Sequence, residues 1–268
     1  MKLFFREYGA GNETLIITHG LYGSSDNWAT IARELGDKFR VIVVDCRNHG
    51  KSPHASSHTY NDMANDLVEL LDDLEIKSSN FVGHSMGGKC VMQLALSYPE
   101  RIKKMAILDI APKSYATFHN YGTFTNNHTA ILKAMLKIDF TKLQSRMEIE
   151  QHLKDEIKDE SVCNFLLKNI ARTHDGHFCW KLNVTALNDN LGEILDGFSH
   201  YANDTFIPFK GEVIFLRGSN SSYFADEDLH LARKFFPRAE LTTIPNAAHW
   251  LHAEQPKLVT NSLIYFFD

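Results

Sequence analysis

Cysteine is scarce in this chain. Its 268 residues include four, Cys46, Cys90, Cys163 and Cys179, and no two of them form a C-x-x-C pair. That excludes a dense disulfide framework, and without an export signal reduced thiols in a cytoplasmic protein are expected. The opening MKLFFREYG offers one basic residue and only Leu3-Phe4-Phe5 before Arg6-Glu7, too little for a secretory signal, and reads as an edge strand. No apolar run approaches the roughly 20 residues of a membrane span. An excess of positive charge is missing too: the formal net charge is −5 and the pI near 6.3, which leaves no footprint for nucleic acid or anionic lipid. There is no glycine loop of the P-loop or dinucleotide type, no internal repeat and no low-complexity segment. His174, His177 and Cys179 stand close together in THDGHFC, but in a polar stretch that reads as a solvated turn. Neither a metal nor a cofactor is expected.

What is present is an ordinary soluble composition, 44% hydrophobic and 23% charged. At this length roughly three-quarters of the unfolded surface can be buried, in one large domain or a domain with an insert. Short, nearly continuous apolar runs recur: LIITHG (15–20), FRVIVVDC (39–46), NFVGHS (80–85), KMAILDI (104–110), EVIFLRG (212–218) and ELTTIP (240–245). Strands buried on both faces read this way. Helical spacing fills the gaps at Asp26 to Leu35, Tyr60 to Leu74, Met86 to Tyr98, Asp226 to Phe236 and, after Pro256, Lys257 to Phe267. Thr59 and Ser24 or Ser25 suit N-cap positions. The βαβα order predicts an α/β fold, a mostly parallel twisted sheet flanked by helices.

One region breaks the alternation. Between Pro112 and Pro208 no convincing strand is legible, and Leu132–Ile138, Glu148–Ile157 and Ser161–Thr173 read as successive helices. The run KDEIKDE (154–160) reads as a solvated helix face. The aromatic load is large, with Phe118, Tyr121, Phe124, Phe140, Phe165, Phe178, Trp180, Phe198 and Tyr201. Most of it suits the core of a helical insert, and Phe124 and Trp180 are candidates to line a substrate pocket beneath it. The expected organisation is a core of 1–112 and 208–268 with a helical cap, a mobile lid, at 113–207. Its lysines, among them Lys133, Lys137, Lys142, Lys154, Lys158 and Lys168, most simply keep helix faces in solution.

In parallel sheets chemistry gathers at the carboxyl ends of the strands. Those ends carry His19-Gly20-Leu21, Asp45, Ser85, Asp109, Gly218-Ser219-Asn220 and finally His249. Ser85 stands in GHSMG, between a β-prone run and a helical one, where a strained strand-to-helix turn would push its oxygen outward. A serine needs a base to take its proton, and the base needs a carboxylate to fix its tautomer. G-x-S-x-G with the order Ser, Asp, His is the nucleophile-elbow signature, which Ser85, Asp109 and His249 match. The loop after EVIFLRG, SNSSYFA (219–225), is the commoner place for the acid, yet it holds no carboxylate at all. Asp226 and Asp228 lie beyond it, where they suit a helix N-terminus. Asp109, ending the strand expected beside that of Ser85, is therefore the expected acid. Asp45, Arg47 and His49 read as a salt-linked scaffold loop.

HGLYGSSDNW (19–28), DCRNHGKS (45–52), GHSMGG (83–88), LDIAP (108–112), LRGSNSSY (216–223) and IPNAAHWLHAEQP (244–256) resemble the blocks of the α/β-hydrolase fold, and of its small bacterial YbfF-type esterases in particular. The resemblance covers the whole chain. It implies hydrolysis of carboxylic esters, with acyl-CoA thioesters as a further substrate class. It implies Ser85 as nucleophile, His249 as base, and the backbone N–H groups of Leu21 and Met86 as the oxyanion hole. Met86 fits that role physically, since first-turn amides of a helix have no intrahelical acceptor. Many members place a glycine before the histidine where this chain has Ala248, a small residue that should be tolerated. The runner-up is a serine-triad hydrolase of a C–C or peptide bond, and a non-catalytic receptor for a lipophilic ligand is a further alternative. A dehalogenase or epoxide hydrolase typically uses an aspartate nucleophile, against which Ser85 argues. Oligomeric state is not legible.

Overall fold

The apolar runs form strands because alternate residues find partners on two separate helical layers. Successive side chains on a strand point to opposite faces. Thus Leu15, Ile17, Val41 and Val43 pack on one side of the sheet, and Ile16, Ile42, Val44 and Phe81 on the other. The structure, a computed structural model, describes residues 1–116, 122–196, 198, 201 and 206–268, with the side chains of 122–127 outside that description.

In chain order the first strands are β1 (Phe5–Tyr8), β2 (Thr14–Thr18), β3 (Arg40–Val44), β4 (Ser79–His84) and β5 (Ile102–Leu108). Helices α1 (Ala29–Leu35), α2 (Tyr60–Asp73) and α3 (Met86–Ser97) connect them. After the intervening segment come β8 (Glu212–Gly218), α9 (Asp228–Phe235), β9 (Ala239–Ile244), α10 (Leu251–Glu254) and α11 (Pro256–Phe267). The sheet runs β1-β3-β2-β4-β5-β8-β9, parallel except for the antiparallel edge strand β1. This is the α/β sheet the alternation predicts. Thr59 caps α2, its side chain accepting the Asp62 amide. The residues of α1 and α11 cover one face, and α2, α3 and α9 the other.

The segment between β5 and β8 carries α4 (Gly122–Leu136), α5 (Arg146–Glu156), α6 (Glu160–Leu167), α7 (Val184–Asp189) and α8 (Leu191–Leu195). It also contains two strands that the sequence did not disclose, β6 (Ile170–Arg172) and β7 (Phe178–Trp180), paired antiparallel. Three residues a side are too few to show alternation. The helix expected through Thr173 therefore stops at Leu167, and THDGH (173–177) forms the hairpin turn before Phe178 and Cys179 enter β7, with Gly176 at φ 89°. KDEIKDE spans the joint between α5 and α6 rather than one helix face: Ile157 is buried within it while its charged residues stay exposed. Lys137, Lys142 and Lys154 pair with Glu156, Asp139 and Glu150. No helix among the described residues is long and apolar enough to cross a membrane.

Candidate active site

Ser85 follows β4 with φ 53° and ψ −119°, a conformation L-residues rarely adopt, and its N–H is held by the Leu108 carbonyl at 3.0 Å. The strain persists because the neighbours over-determine it. A Cβ on Gly83 would lie 2.6 Å from the Gly87 carbonyl oxygen, and one on Gly87 2.6 Å from that of His19. Strand, turn and helix touch backbone to backbone there, so the two glycines framing the serine are a packing requirement.

The β4–β5 pairing sets the next residue. His84 is in register with Leu108, so Asp109 emerges beside Ser85. Asp109 also has positive φ, 52°, and its N–H donates to the Leu216 carbonyl at 2.8 Å. Its buried carboxylate accepts from the Gly218 amide at 3.1 Å, from the Ser221 hydroxyl, and from His249 Nδ1 at 2.7 Å. His249 Nε2 lies 3.0 Å from Ser85 Oγ. With the carboxylate accepting at Nδ1, Nε2 is the acceptor of the serine proton.

The loop after β9 holds His249 from several sides. Glu254 accepts the Ala248 and Trp250 amides at 2.7 and 3.2 Å, and His84 Nε2–H donates to the His249 carbonyl at 2.8 Å. Tyr223 stacks on the imidazole with centroids 3.8 Å apart. Ala248 is not among the described residues with positive φ, so a methyl group costs nothing there. Burial pushes His252 down to about 3, and that ring stacks flat on Trp28 at 4.7 Å and sits against His84. Burial likewise holds His84 well below the ordinary histidine range.

The loop after β2 is built on two more neutral histidines. His19 Nδ1–H donates to the Gly20 carbonyl at 2.8 Å and its Nε2 accepts the Cys46 amide at 3.0 Å. His49 Nδ1–H donates to the Arg47 carbonyl and its Nε2 accepts the Tyr22 amide. Burial lowers the pKa of both. Tyr22 has φ 63°, and its carbonyl accepts from Asn169 of the inserted segment at 2.8 Å. These bonds leave the amides of Leu21 and Met86 with no acceptor among the described residues.

The other expected residues fall as follows. Asp226 pairs with Arg217 and Asp228 with buried Lys113, so neither carboxylate meets His249. Asp45 is not salt-linked to Arg47: it accepts the Ser25 and Lys51 amides at 2.6 and 2.9 Å, while Arg47 forks onto Asp66 of α2. Trp180 does not line the hollow at Ser85. It packs edge-on against Phe140, donates to the Met135 carbonyl, and lies half-buried against the core. The side chain of Phe124 lies outside the described residues, as do Phe118 and Tyr121. Sequence reasoning missed Ser221, Tyr223, His84 and Asn169. For the first two a signal existed, since SNSSYFA lacks a carboxylate but supplies a hydroxyl and an aromatic ring.

Ser85 opens on a cavity of about 570 Å³ whose walls include the aromatic residues Tyr22, Trp28, Phe165, Tyr223 and Trp250, with Ile131 and Val162 from the insert and the carboxylates Asp159 and Glu254. A recess of about 40 Å³ also reaches Ser85.

Residues 13–256 match the family model of the alpha/beta hydrolase fold. The chain is 35% identical over 97% of its length to the sn-1-specific diacylglycerol lipase ABHD11 of Danio rerio, covering 80% of that protein. It is 34% identical to the esterase YbfF of Escherichia coli, with 98% of each chain covered. Among solved structures it superposes on a marine microorganism esterase with a TM-score of 0.92 at 42% identity, covering 99% of both chains. The chain belongs to the α/β-hydrolase family, among its YbfF-type esterases.

Proposed function

We propose that this carboxylic ester hydrolase works through Ser85, His249 and Asp109 by way of an acyl-enzyme. The observation that carries the reading is the unbroken chain of hydrogen bonds from the Asp109 carboxylate through both nitrogens of His249 to Ser85 Oγ, at 2.7 and 3.0 Å. As Ser85 Oγ adds to the ester carbonyl, its proton passes to His249 Nε2. Asp109 stabilises the resulting imidazolium and keeps the Nδ1 proton in place. The carbonyl oxygen becomes an alkoxide, for which Leu21 and Met86 supply the N–H donors. Removing one such donor in a comparable site costs about 10²–10³ in rate. His249 then gives its proton to the departing oxygen or sulfur, the acyl group stays on Ser85, and water attacks it by the same steps in reverse roles.

The substrate is a small-molecule ester, and thioesters fit the same steps. The described walls of the large cavity carry no lysine or arginine. A coenzyme A tail would therefore find partners for its phosphates outside it. The segment 113–207 is read as the cap over the site, and Trp180 as part of its own packing. Bonds from Asn169 to Tyr22 and from Asn183 to Asn48 and Ala55 join it to the core loops. The four cysteines form no disulfide, in keeping with a reducing, cytoplasmic location. A panel of p-nitrophenyl esters and acyl-CoAs, run beside an aryl C–C substrate, tests the reading. Esters or thioesters should be cleaved, and Ser85→Ala should abolish turnover; C–C cleavage alone, or full activity in Ser85→Ala, would overturn it.

A further inference from the structure

The two hollows at Ser85 share Leu21, Ser85, His128 and Tyr223 among their described walls and differ in the rest. The larger contains His249 and Trp250. The smaller runs past Met86 and Ile110 and ends on Lys89, Tyr60, Tyr115 and Ile194, without His249. We infer that the small recess takes the acyl chain and the large cavity the departing alcohol or thiol, so that the enzyme removes short acyl groups from bulky, apolar alcohols or thiols. This rests on the triad reading above and adds the substrate class to it.

The assignment follows from which bond breaks. The departing oxygen or sulfur must receive its proton from His249 Nε2, so the group attached to it lies in the hollow that His249 lines. The oxyanion points at the Leu21 and Met86 amides. The remaining substituent of the tetrahedral carbon is the acyl chain, and the hollow left for it is the recess beside Met86. At 10–15 Å³ for each water-sized group, about 40 Å³ of such space admits roughly three of them. That fits acyl groups from acetyl to butanoyl.

The end of the recess is fixed by Lys89, one turn along α3 from Ser85. Its buried side-chain nitrogen donates to the Leu195 and Asp196 carbonyls at 2.9 and 2.7 Å and lies over the Tyr115 ring at 4.8 Å. A longer chain would have to push α8 away and strand that buried nitrogen without its acceptors, a costly exchange in a dry site. Ile194 of α8 supplies the apolar wall. Its carbonyl accepts the Tyr60 hydroxyl at 2.7 Å, a bond that Ile194→Ala would keep.

The test is a matrix of kcat/KM values on the full chain. One axis varies the acyl group on a fixed leaving group: p-nitrophenyl acetate, butanoate and octanoate. The other varies the alcohol at matched leaving ability: ethyl and octyl acetate. Butanoate should exceed octanoate at least tenfold, and octyl acetate should exceed ethyl acetate at least tenfold, the scale on which a fitted apolar pocket discriminates. Ile194→Ala should raise the octanoate-to-acetate ratio at least tenfold and leave the octyl-to-ethyl ratio unmoved. Octanoate cleaved as fast as butanoate, or ethyl acetate as fast as octyl acetate, overturns the assignment, and the wild-type matrix decides this even if the variant does not fold. Labelling with an alkyl fluorophosphonate is run alongside. Wrong ratios with Ser85 labelled refute the assignment of the two hollows alone, whereas no label at Ser85 refutes the triad and the assignment with it.

Discussion

Asp109→Asn is the substitution whose consequence follows most closely from the geometry. Three donors converge on the carboxylate: the Gly218 amide on Oδ1, and the Ser221 hydroxyl and His249 Nδ1 on Oδ2. Asparagine offers one acceptor oxygen and one NH₂ group in the same space. The Gly218 N–H cannot turn away, so the amide oxygen takes the Oδ1 place and the NH₂ faces Ser221 and His249. A serine hydroxyl can rotate to accept. The imidazole can accept at Nδ1 only by moving its proton to Nε2, which then donates to Ser85 Oγ and no longer serves as a base. The expected loss is about 10³–10⁴ in kcat, the scale known for a triad carboxylate made neutral. That corresponds to about 4–5 kcal/mol of barrier. Steady-state hydrolysis of p-nitrophenyl butanoate measures it, with thermal unfolding as the control for fold. Asp226→Asn and Asp228→Asn, whose carboxylates pair with Arg217 and Lys113, should stay within a few-fold of wild type. An active Asp109→Asn beside a dead Asp226→Asn would refute the reasoning.

Three further outcomes are expected. Gly83→Ala should destabilise the fold by at least about 2 kcal/mol, because its Cβ would meet backbone and not a side chain that can yield, and a urea midpoint near wild type would contradict this. Tyr223→Leu, which removes the ring stacked on His249, should lower kcat several-fold, since such contacts are worth about 0.5–1.5 kcal/mol; an unchanged kcat would show the ring to be mere packing. Stability should fall with acidification: buried His58 and His252, held near 3, stay neutral in the native state while their unfolded counterparts take up protons below about 6.5. The unfolded state binds more protons in that window, so each site contributes stability above it and loses about 2 kcal/mol by pH 5. Urea unfolding at pH 7 and pH 5 reads the slope, and His252→Phe should reduce it; an equal slope in the variant would contradict the assignment.

The sequence disclosed the strand ends because each core strand is buried on both faces and so reads as an unbroken apolar run. Ser85 and Asp109 needed only the order of β4 and β5, and His249 only the order along the chain. The support around them comes from contacts far apart in sequence. His84 meets the His249 carbonyl 165 residues on, and Asn169 meets Tyr22 147 residues back, and neither has a local pattern. Ser221 was hidden differently: the loop carrying it was read for a carboxylate it lacks, when its hydroxyl serves the carboxylate of the neighbouring strand. Trp180 shows the opposite error. Aromatic content marks apolar contact, and contact with Phe140 and Met135 occupies Trp180 as well as a pocket wall would. The hairpin of β6 and β7 escaped because three residues a strand are too few for an alternation to stand out.

The central claim is that Ser85 is a nucleophile activated by His249 and Asp109. Incubation with an alkyl fluorophosphonate followed by peptide mapping tests it most directly. The account predicts a single adduct on the peptide containing Ser85, absent in Ser85→Ala and formed far more slowly in His249→Ala and Asp109→Asn. An adduct on another residue, or labelling of Ser85 at the wild-type rate in both variants, would contradict it.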